Sequence, residues 1–258
     1  RGGGMLRNLM QNLKNIMCTP LFWGCVIVCT ILRFTTICYV NEVGKEYTIF
    51  ELLIHKQELW DAVSAEISLA DILESPLGTY GVMFMPVVVL FPFLNYFWAE
   101  RTTGFSRYVV ARIGKVRYAV IRAVSGVLSA GITAMLGCVL ADIILILLLP
   151  SEGLQMGKIW IMKLLCFMIY GMIVSTPGLV AAAVFYNKYV VACVPFLALY
   201  LMDLTFQKHD LARWQTSYFT YMYKENALGF NVVFYTALAI VLMVVFGTFL
   251  MKRRDGCA

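Results

Sequence analysis

The sequence predicts an all-α integral membrane protein of six transmembrane helices, with an N-terminal interfacial helix and a short cytoplasmic coupling helix after the second span. Three observations predict it. Of 258 residues, 61% are apolar and only 14% charged, whereas a soluble domain carries about 45–50% and about 25%. Six stretches approach or exceed the roughly 20 apolar residues needed to cross a hydrocarbon core about 30 Å thick. Lys and Arg gather in alternate connections between those stretches. The composition excludes an ordinary soluble enzyme, and it excludes a disordered chain, which needs low hydrophobicity and high net charge. No run alternates apolar and polar residues as the strands of a membrane barrel do.

Ahead of the first stretch, Met5, Leu6, Leu9, Leu13, Ile16 and Met17 recur at helical spacing opposite Arg7, Asn8, Gln11, Asn12, Lys14 and Asn15. That pattern predicts a helix over 5–18 lying in the membrane interface; Met5 is a natural start, so residues 1–4 are set aside. Pro20 marks the turn into span one, about 19–40, whose single charge is Arg33. This span is too long for a cleavable signal peptide and no convincing small-residue cleavage site follows it. Loop 41–77 holds eight acids against Lys45 and Lys56. Within it Phe50, Leu53, Ile54, Trp60, Val63 and Ile67 recur at roughly helical spacing, which predicts one or two amphipathic helices resting on the outer surface.

Span two, 80–98, is uncharged, and the basic loop 99–122 follows directly. Span three, 123–149, carries only Asp142; span four, 159–186, has Lys163 one turn inside its start; span five, 189–205, is short and holds Pro195 and Asp203. Loop 206–227 packs Phe206, Trp214, Tyr218, Phe219, Tyr221 and Tyr223 into one segment. Such aromatics prefer the headgroup level, so the chain is expected to dip back toward the membrane there or to lie along its surface. Span six, 229–251, is uncharged and ends at the tail 252–258, which opens with KRRD.

Orientation follows from the bases. With both termini cytoplasmic, the inner segments hold 13 Lys and Arg against Glu100 and Asp255, while eleven acids fall outside. The positive-inside rule selects that arrangement, and the net charge of +6 then reflects topology and attraction to lipid with no nucleic acid as partner. The eight cysteines are scattered without a C-x-x-C pair, which predicts neither a zinc site nor a disulfide framework.

Three features carry candidate function. Gly104 permits a break after span two, leaving a short helix with Tyr108, Val109, Val110 and Ile113 on one face and Arg107, Arg112, Lys115 and Arg117 around the rest. Held between two spans, it is either a lever for a cytoplasmic partner or a positive-inside anchor. Arg33, Asp142 and Asp203 are ionisable residues near hydrocarbon, expected to line a translocation path or to snorkel at the outer interface; a pair between Arg33 and either aspartate would set the polarity of an outer gate. Ser125, Ser129, Thr133, Gly137 and Ala141 place a small residue at every fourth position of span three, a stripe that admits close helix approach within one subunit or between two.

The interfacial helix, six spans, a long outer loop after span one and the string ERTTGFSRYVVARIGKVRYAVIR at 100–122 together resemble the ABC-2 type permeases. Those are membrane subunits of ATP-binding-cassette exporters, particularly the small ones of Gram-positive bacteria. The resemblance implies that the loop after span two docks into a nucleotide-binding subunit through Glu100, Arg101, Gly104, Arg107, Arg112 and Lys115. It also implies a re-entrant segment before the last span, two ATP-binding subunits, a second permease subunit (identical or homologous), and a place in a bacterial cell membrane. An amphiphilic or peptide-like cargo would move outward.

The chain itself offers no chemistry for this. A phosphate loop needs G-x-x-x-x-G-K-[ST]; GLQMGKI at 153–159 has the wrong spacing and lacks Ser or Thr. The expectation is therefore a non-enzymatic subunit that binds no cofactor, with ATP and magnesium held by the partner ATPase. The two histidines, His55 and His209, form no H-E-x-x-H protease motif and no paired haem ligands within the membrane. An ion-coupled secondary transporter or a membrane scaffold remains the alternative.

Overall fold

A computed structural model describes residues 3–40, 44–55, 63, 68–149, 158–211, 214–216 and 230–252. Helix α1 (Gly3–Met17) gives way at Thr19 to α2 (Pro20–Phe34). The Thr19 hydroxyl accepts the Phe22 amide at 3.3 Å, and Pro20 sits in the first turn, where its missing N–H costs nothing. The two helices are bent by 68°.

The expected first span, 19–40, is corrected at its far end. Helix α2 stops at Phe34, and the β-branched and aromatic residues beyond it form strand β1 (Ile37–Val40), paired antiparallel with β2 (Glu46–Thr48). Tyr39 stands opposite Tyr47 and Val40 opposite Glu46, a composition that suits a pleated surface better than a helix end. At 15 residues, α2 is about 22 Å long, short of a full crossing unless α1 completes it.

Two short helices follow, α3 (Ile49–Ile54) and α4 (Leu69–Leu73), each begun by a capping box: Thr48 with Glu51, and Ser68 with Asp71. Of the apolar residues read at helical spacing in this loop, Val63 is buried and Leu53 packs beside it, while two point outward. Ile49, Leu52, Val63, Leu69, Ile72 and Leu73 close a small core, while Phe50 and Ile54 are exposed. Trp60 and Ile67 lie outside the described residues.

The remainder is long helix: α5 (Thr79–Thr102), α6 (Phe105–Ile113), α7 (Lys115–Leu148), α8 (Lys158–Val184), α9 (Lys188–Lys208) and α10 (Phe230–Lys252). Five stretches within them (79–102, 115–148, 158–184, 188–208 and 232–252) are long and apolar enough to cross a membrane, and α1 with α2 makes a sixth if the bent pair counts as one span. Apolar side chains that water would penalise stay outward, as with Trp23, Ile27 and Ile31 on α2 and Ile240, Val241 and Val244 on α10. Such belts suit lipid.

Helix α7 is the hub, packing against α1, α2, α5, α8 and α10. Small residues set the distances. A Cβ added at Gly137 would come within 2.4 Å of the Cys29 Cβ on α2, and one at Gly171 of α8 would meet Ala134 at 2.7 Å. Pro86 and Pro92 lie inside α5, Pro177 inside α8 and Pro195 inside α9. Pro86 cannot donate to the Val82 carbonyl one turn back; the Tyr170 hydroxyl donates to it instead, at 2.9 Å.

Three expected boundaries move. Span two continues to Thr102, because the Thr102 and Thr103 hydroxyls bond back to the Trp98 and Ala99 carbonyls and carry the helix past its apolar run. Span three starts at Lys115 instead of 123, so loop 99–122 narrows to one nine-residue helix and its flanks. Span five is not short. Asn187 caps it, accepting the Tyr189 amide at 2.9 Å, and it runs for 21 residues. Most of 206–227 and the tail beyond Lys252 lie outside the described residues.

Candidate functional site

The charged side chains that the bundle buries collect at its two ends. At the first, α6 is set between two glycines whose φ angles are positive: Gly104 at +69° and Gly114 at +86°. Gly114, with ψ 153°, occupies a region open essentially to glycine alone, so the reversal from α6 into α7 depends on it. No residue of α6 is buried. Arg107, Arg112, Lys115 and Arg117 are all exposed, and so are Phe105 and Tyr108.

The roots of this helix are fixed to the bundle. Glu100, in the last turn of α5, is 6% exposed and forms an ion pair with Arg122 of α7, itself 1% exposed. The Tyr118 hydroxyl donates to the same carboxylate at 3.3 Å. Arg122 lies 5.1 Å from the centre of the Tyr96 ring and 5.2 Å from that of Tyr118, distances at which a cation gains from the ring faces. Arg101 reaches across to the end of α8, with its guanidinium 4.5 Å from the Tyr186 ring and Nη1 donating to the Ala182 carbonyl at 3.4 Å. The six residues expected to dock a partner therefore divide. Arg107, Arg112 and Lys115 are presented outward, Gly104 supplies the break, and Glu100 and Arg101 are engaged within the chain. For Glu100 this is a correction: a carboxylate buried against Arg122 is not on a docking surface.

At the opposite end, Asp142 of α7 is fully buried and receives the Lys163 ammonium of α8 at 3.0 and 2.7 Å, with the Trp160 indole N–H at 2.8 Å. Lys163 also donates to the Leu73 carbonyl at the end of α4. Arg33, 1% exposed, donates to the same Leu73 carbonyl at 3.4 Å, to the carbonyls of Pro76 at 2.8 Å and Ile72 at 3.2 Å, and to the Ser75 hydroxyl at 2.9 Å. A helix end leaves its last carbonyls without intrahelical partners, and two cations satisfy them here.

The expectation for Arg33 and Asp142 is thus corrected in two respects. Neither snorkels to an interface, because each is enclosed by protein. Arg33 pairs with backbone carbonyls and not with an aspartate; the partner of Asp142 is Lys163, which the charge count places in the outer segment. Asp203 stands apart. It accepts the Thr216 amide at 2.8 Å and hydroxyl at 2.6 Å, and it borders a cavity of about 520 Å³ between α5 and α9. Ser125, Ser129 and Thr133 are completely buried, their hydroxyls returned to carbonyls of their own helix at 3.2, 2.9 and 2.7 Å. Gly137 closes on α2 of the same chain, where Thr30 donates to its carbonyl at 3.1 Å.

Arg122 and Lys163 are the two residues that sequence reasoning passes over. The available signal is their setting: Lys163 lies one turn inside an apolar run and Arg122 is the last cation before one, where an ionised side chain needs a named partner. Comparison with protein-family models, curated proteins and solved structures returns no match for this chain.

Proposed function

We propose that this chain is the membrane subunit of an ATP-driven, ABC-2-like exporter in a bacterial cell membrane, moving an amphiphilic or peptide-like cargo with energy from a separate ATPase. The observation that carries the reading is helix α6. It is short, basic and exposed, hinged at two glycines, and rooted in the Glu100–Arg122 pair that joins α5 to α7. A force on such a helix passes into two long helices at once instead of being absorbed by a loose loop.

In this reading two ATPase subunits, each carrying ATP and magnesium, engage the α6 helices of two permease subunits, identical or homologous. Arg107, Arg112 and Lys115 supply the docking charge. Closure of the ATPases on ATP draws the helices together, and the Glu100–Arg122 and Arg101–Ala182 contacts carry that movement into α7 and α8. Both termini are cytoplasmic, on the side of α6.

The test begins with the neighbouring reading frames, where an ATP-binding-cassette ATPase is expected, and continues with its co-expression with this chain. Charge reversal at Arg107 and Arg112 should abolish co-purification of the ATPase while membrane insertion and monodispersity persist. An ATPase that still co-purifies with the double variant, and is still stimulated by it, refutes the assignment.

A further inference from the structure

Helices α5 to α10 carry three acids among them, Glu100, Asp142 and Asp203. Two are answered by a cation of the same bundle, Arg122 and Lys163. Asp203 is not. Among the described residues its hydrogen-bond partners are neutral, the Thr216 amide at 2.8 Å and hydroxyl at 2.6 Å. A carboxylate offers about four acceptor positions, so roughly half of its capacity is unused. Tyr170 and Tyr235 do not take it up, because their hydroxyls donate to the Val82 and Trp214 carbonyls. An acid within a span is costly without a counter-charge and belongs beside a partner or a path.

Asp203 is half-buried, not sealed. It borders the cavity of about 520 Å³ between α5 and α9, where every other described residue is uncharged. Most of that border is carbon: Met83 from α5, and Phe196, Leu199, Tyr200 and Leu204 from α9. The rings of Phe196 and Tyr200 stack with centroids 6.0 Å apart, and such faces attract a cation as well as apolar groups. The volume is that of a site enclosing a small organic molecule. A bare metal ion would leave most of it empty, and a hard cation calls for several oxygen ligands where this wall offers mainly hydrocarbon.

We infer that this cavity binds an organic ammonium ion with an apolar body, its nitrogen on Asp203 and its body against Phe196, Tyr200 and the α5 wall. A protonated amine brings both things the carboxylate lacks, a positive charge and N–H donors, and charge-assisted hydrogen bonds of this kind are the strong ones. A ligand so seated touches α5 and α9 at once. That it is cargo rests on the exporter reading; the binding itself does not, and it is measured on this chain without any ATPase. Binding with no ATPase partner found would leave this site standing and sink only the exporter.

The full chain in phosphatidylcholine nanodiscs is titrated calorimetrically with phenylbutylamine and with phenylbutanol, the same body without the charge, and empty nanodiscs subtract partition into lipid. Asp203→Asn removes the charge, and Met83→Trp fills the cavity with the carboxylate intact. Arg213 lies outside the described residues, so Arg213→Gln tests whether the chain supplies its own counter-charge. The expected result is one amine per chain, bound roughly tenfold or more tighter than the alcohol, weakened about as much by Asp203→Asn, lost in Met83→Trp, unchanged in Arg213→Gln and not displaced by equimolar sodium. Equal binding of the alcohol, or amine binding untouched in Asp203→Asn or in Met83→Trp, would overturn the site. Displacement by sodium would overturn the organic occupant, and binding seen only in Arg213→Gln would show Asp203 to be already paired.

Discussion

Replacing Lys163 by Met removes the ammonium from a site in which both partners' side chains are completely buried. Asp142 keeps the Trp160 indole at 2.8 Å and the Cys138 thiol at 3.9 Å, but it loses its counter-charge. Among the described residues the Leu73 carbonyl then keeps the Arg33 contact at 3.4 Å. Breaking a buried ion pair from one side costs about 3–5 kcal/mol, because the surviving charge is stranded. Asp142→Asn strands Lys163 in the same way and should cost a comparable amount. The double variant Asp142→Asn/Lys163→Met strands neither charge, and its main loss is one hydrogen bond to Leu73, about 1 kcal/mol. The cycle should therefore return a coupling of several kcal/mol, far above the roughly 0–1 kcal/mol of exposed pairs. Reversible unfolding in mixed micelles, followed by tryptophan fluorescence, measures all four proteins. Single variants that each cost under about 1 kcal/mol and add without coupling would show the site to be wet, and the reasoning would fail.

Three other outcomes are expected. Tyr170→Phe leaves the Val82 carbonyl without a donor beneath Pro86 and should cost about 1–3 kcal/mol; adding Pro86→Ala restores a backbone donor and should recover most of that loss in the same unfolding assay. Gly137→Ala drives a Cβ into Cys29 and should destabilise by about 1–3 kcal/mol, whereas Gly247→Ala, inside a helix and with nothing within 4 Å, should stabilise by up to about 1 kcal/mol. The Thr48 amide, donating to Glu51 at 2.9 Å, holds that carboxyl below its usual pKa. Its contribution is present above the ordinary Glu range and is lost as pH falls through the lowered value. Hydrogen exchange of amides 49–54 should thus be faster in Glu51→Gln than in the parent at neutral pH and converge with it in acid.

How far the sequence discloses this molecule depends on the kind of residue. The long helices are legible because an apolar run of 20 residues has few alternatives in any solvent, and their prolines do not end them since neighbours such as Tyr170 repair the broken bond. The break at Gly104 is legible for the same local reason. The hairpin at 37–48 is hidden because Ile37, Tyr39 and Val40 are as apolar as the helix they follow, and hydropathy does not separate strand from span. The ion pairs are hidden for another reason. Glu100 and Arg122 are 22 positions apart in a basic loop, and only the packing of α5 on α7 shows that one carboxylate among many cations is already committed. Charge counting treats every Lys and Arg as facing water, whereas Arg33, Arg122 and Lys163 face protein.

The two hidden pairs share one helix, and their spacing is informative. Arg122 and Asp142 are 20 residues apart on α7, about 30 Å along an α-helix, which matches the thickness of a hydrocarbon core. Between them α7 carries no charge at all. Each pair ties α7 to a different helix: Glu100 brings α5 at one boundary, and Lys163 brings α8, with α4 behind it, at the other. A charge at a membrane boundary that turned to water would anchor its own helix and nothing else. Turned inward and paired, it fixes the level at which a neighbouring helix sits, so α7 acts as a strut whose two ends are keyed to different partners. In the proposed exporter, the Glu100–Arg122 pair would resist sliding of α5 on α7, and displacement applied at α6 would be expected as tilt of the strut, reaching the cluster about 30 Å away where Arg33 and Lys163 hold the end of α4.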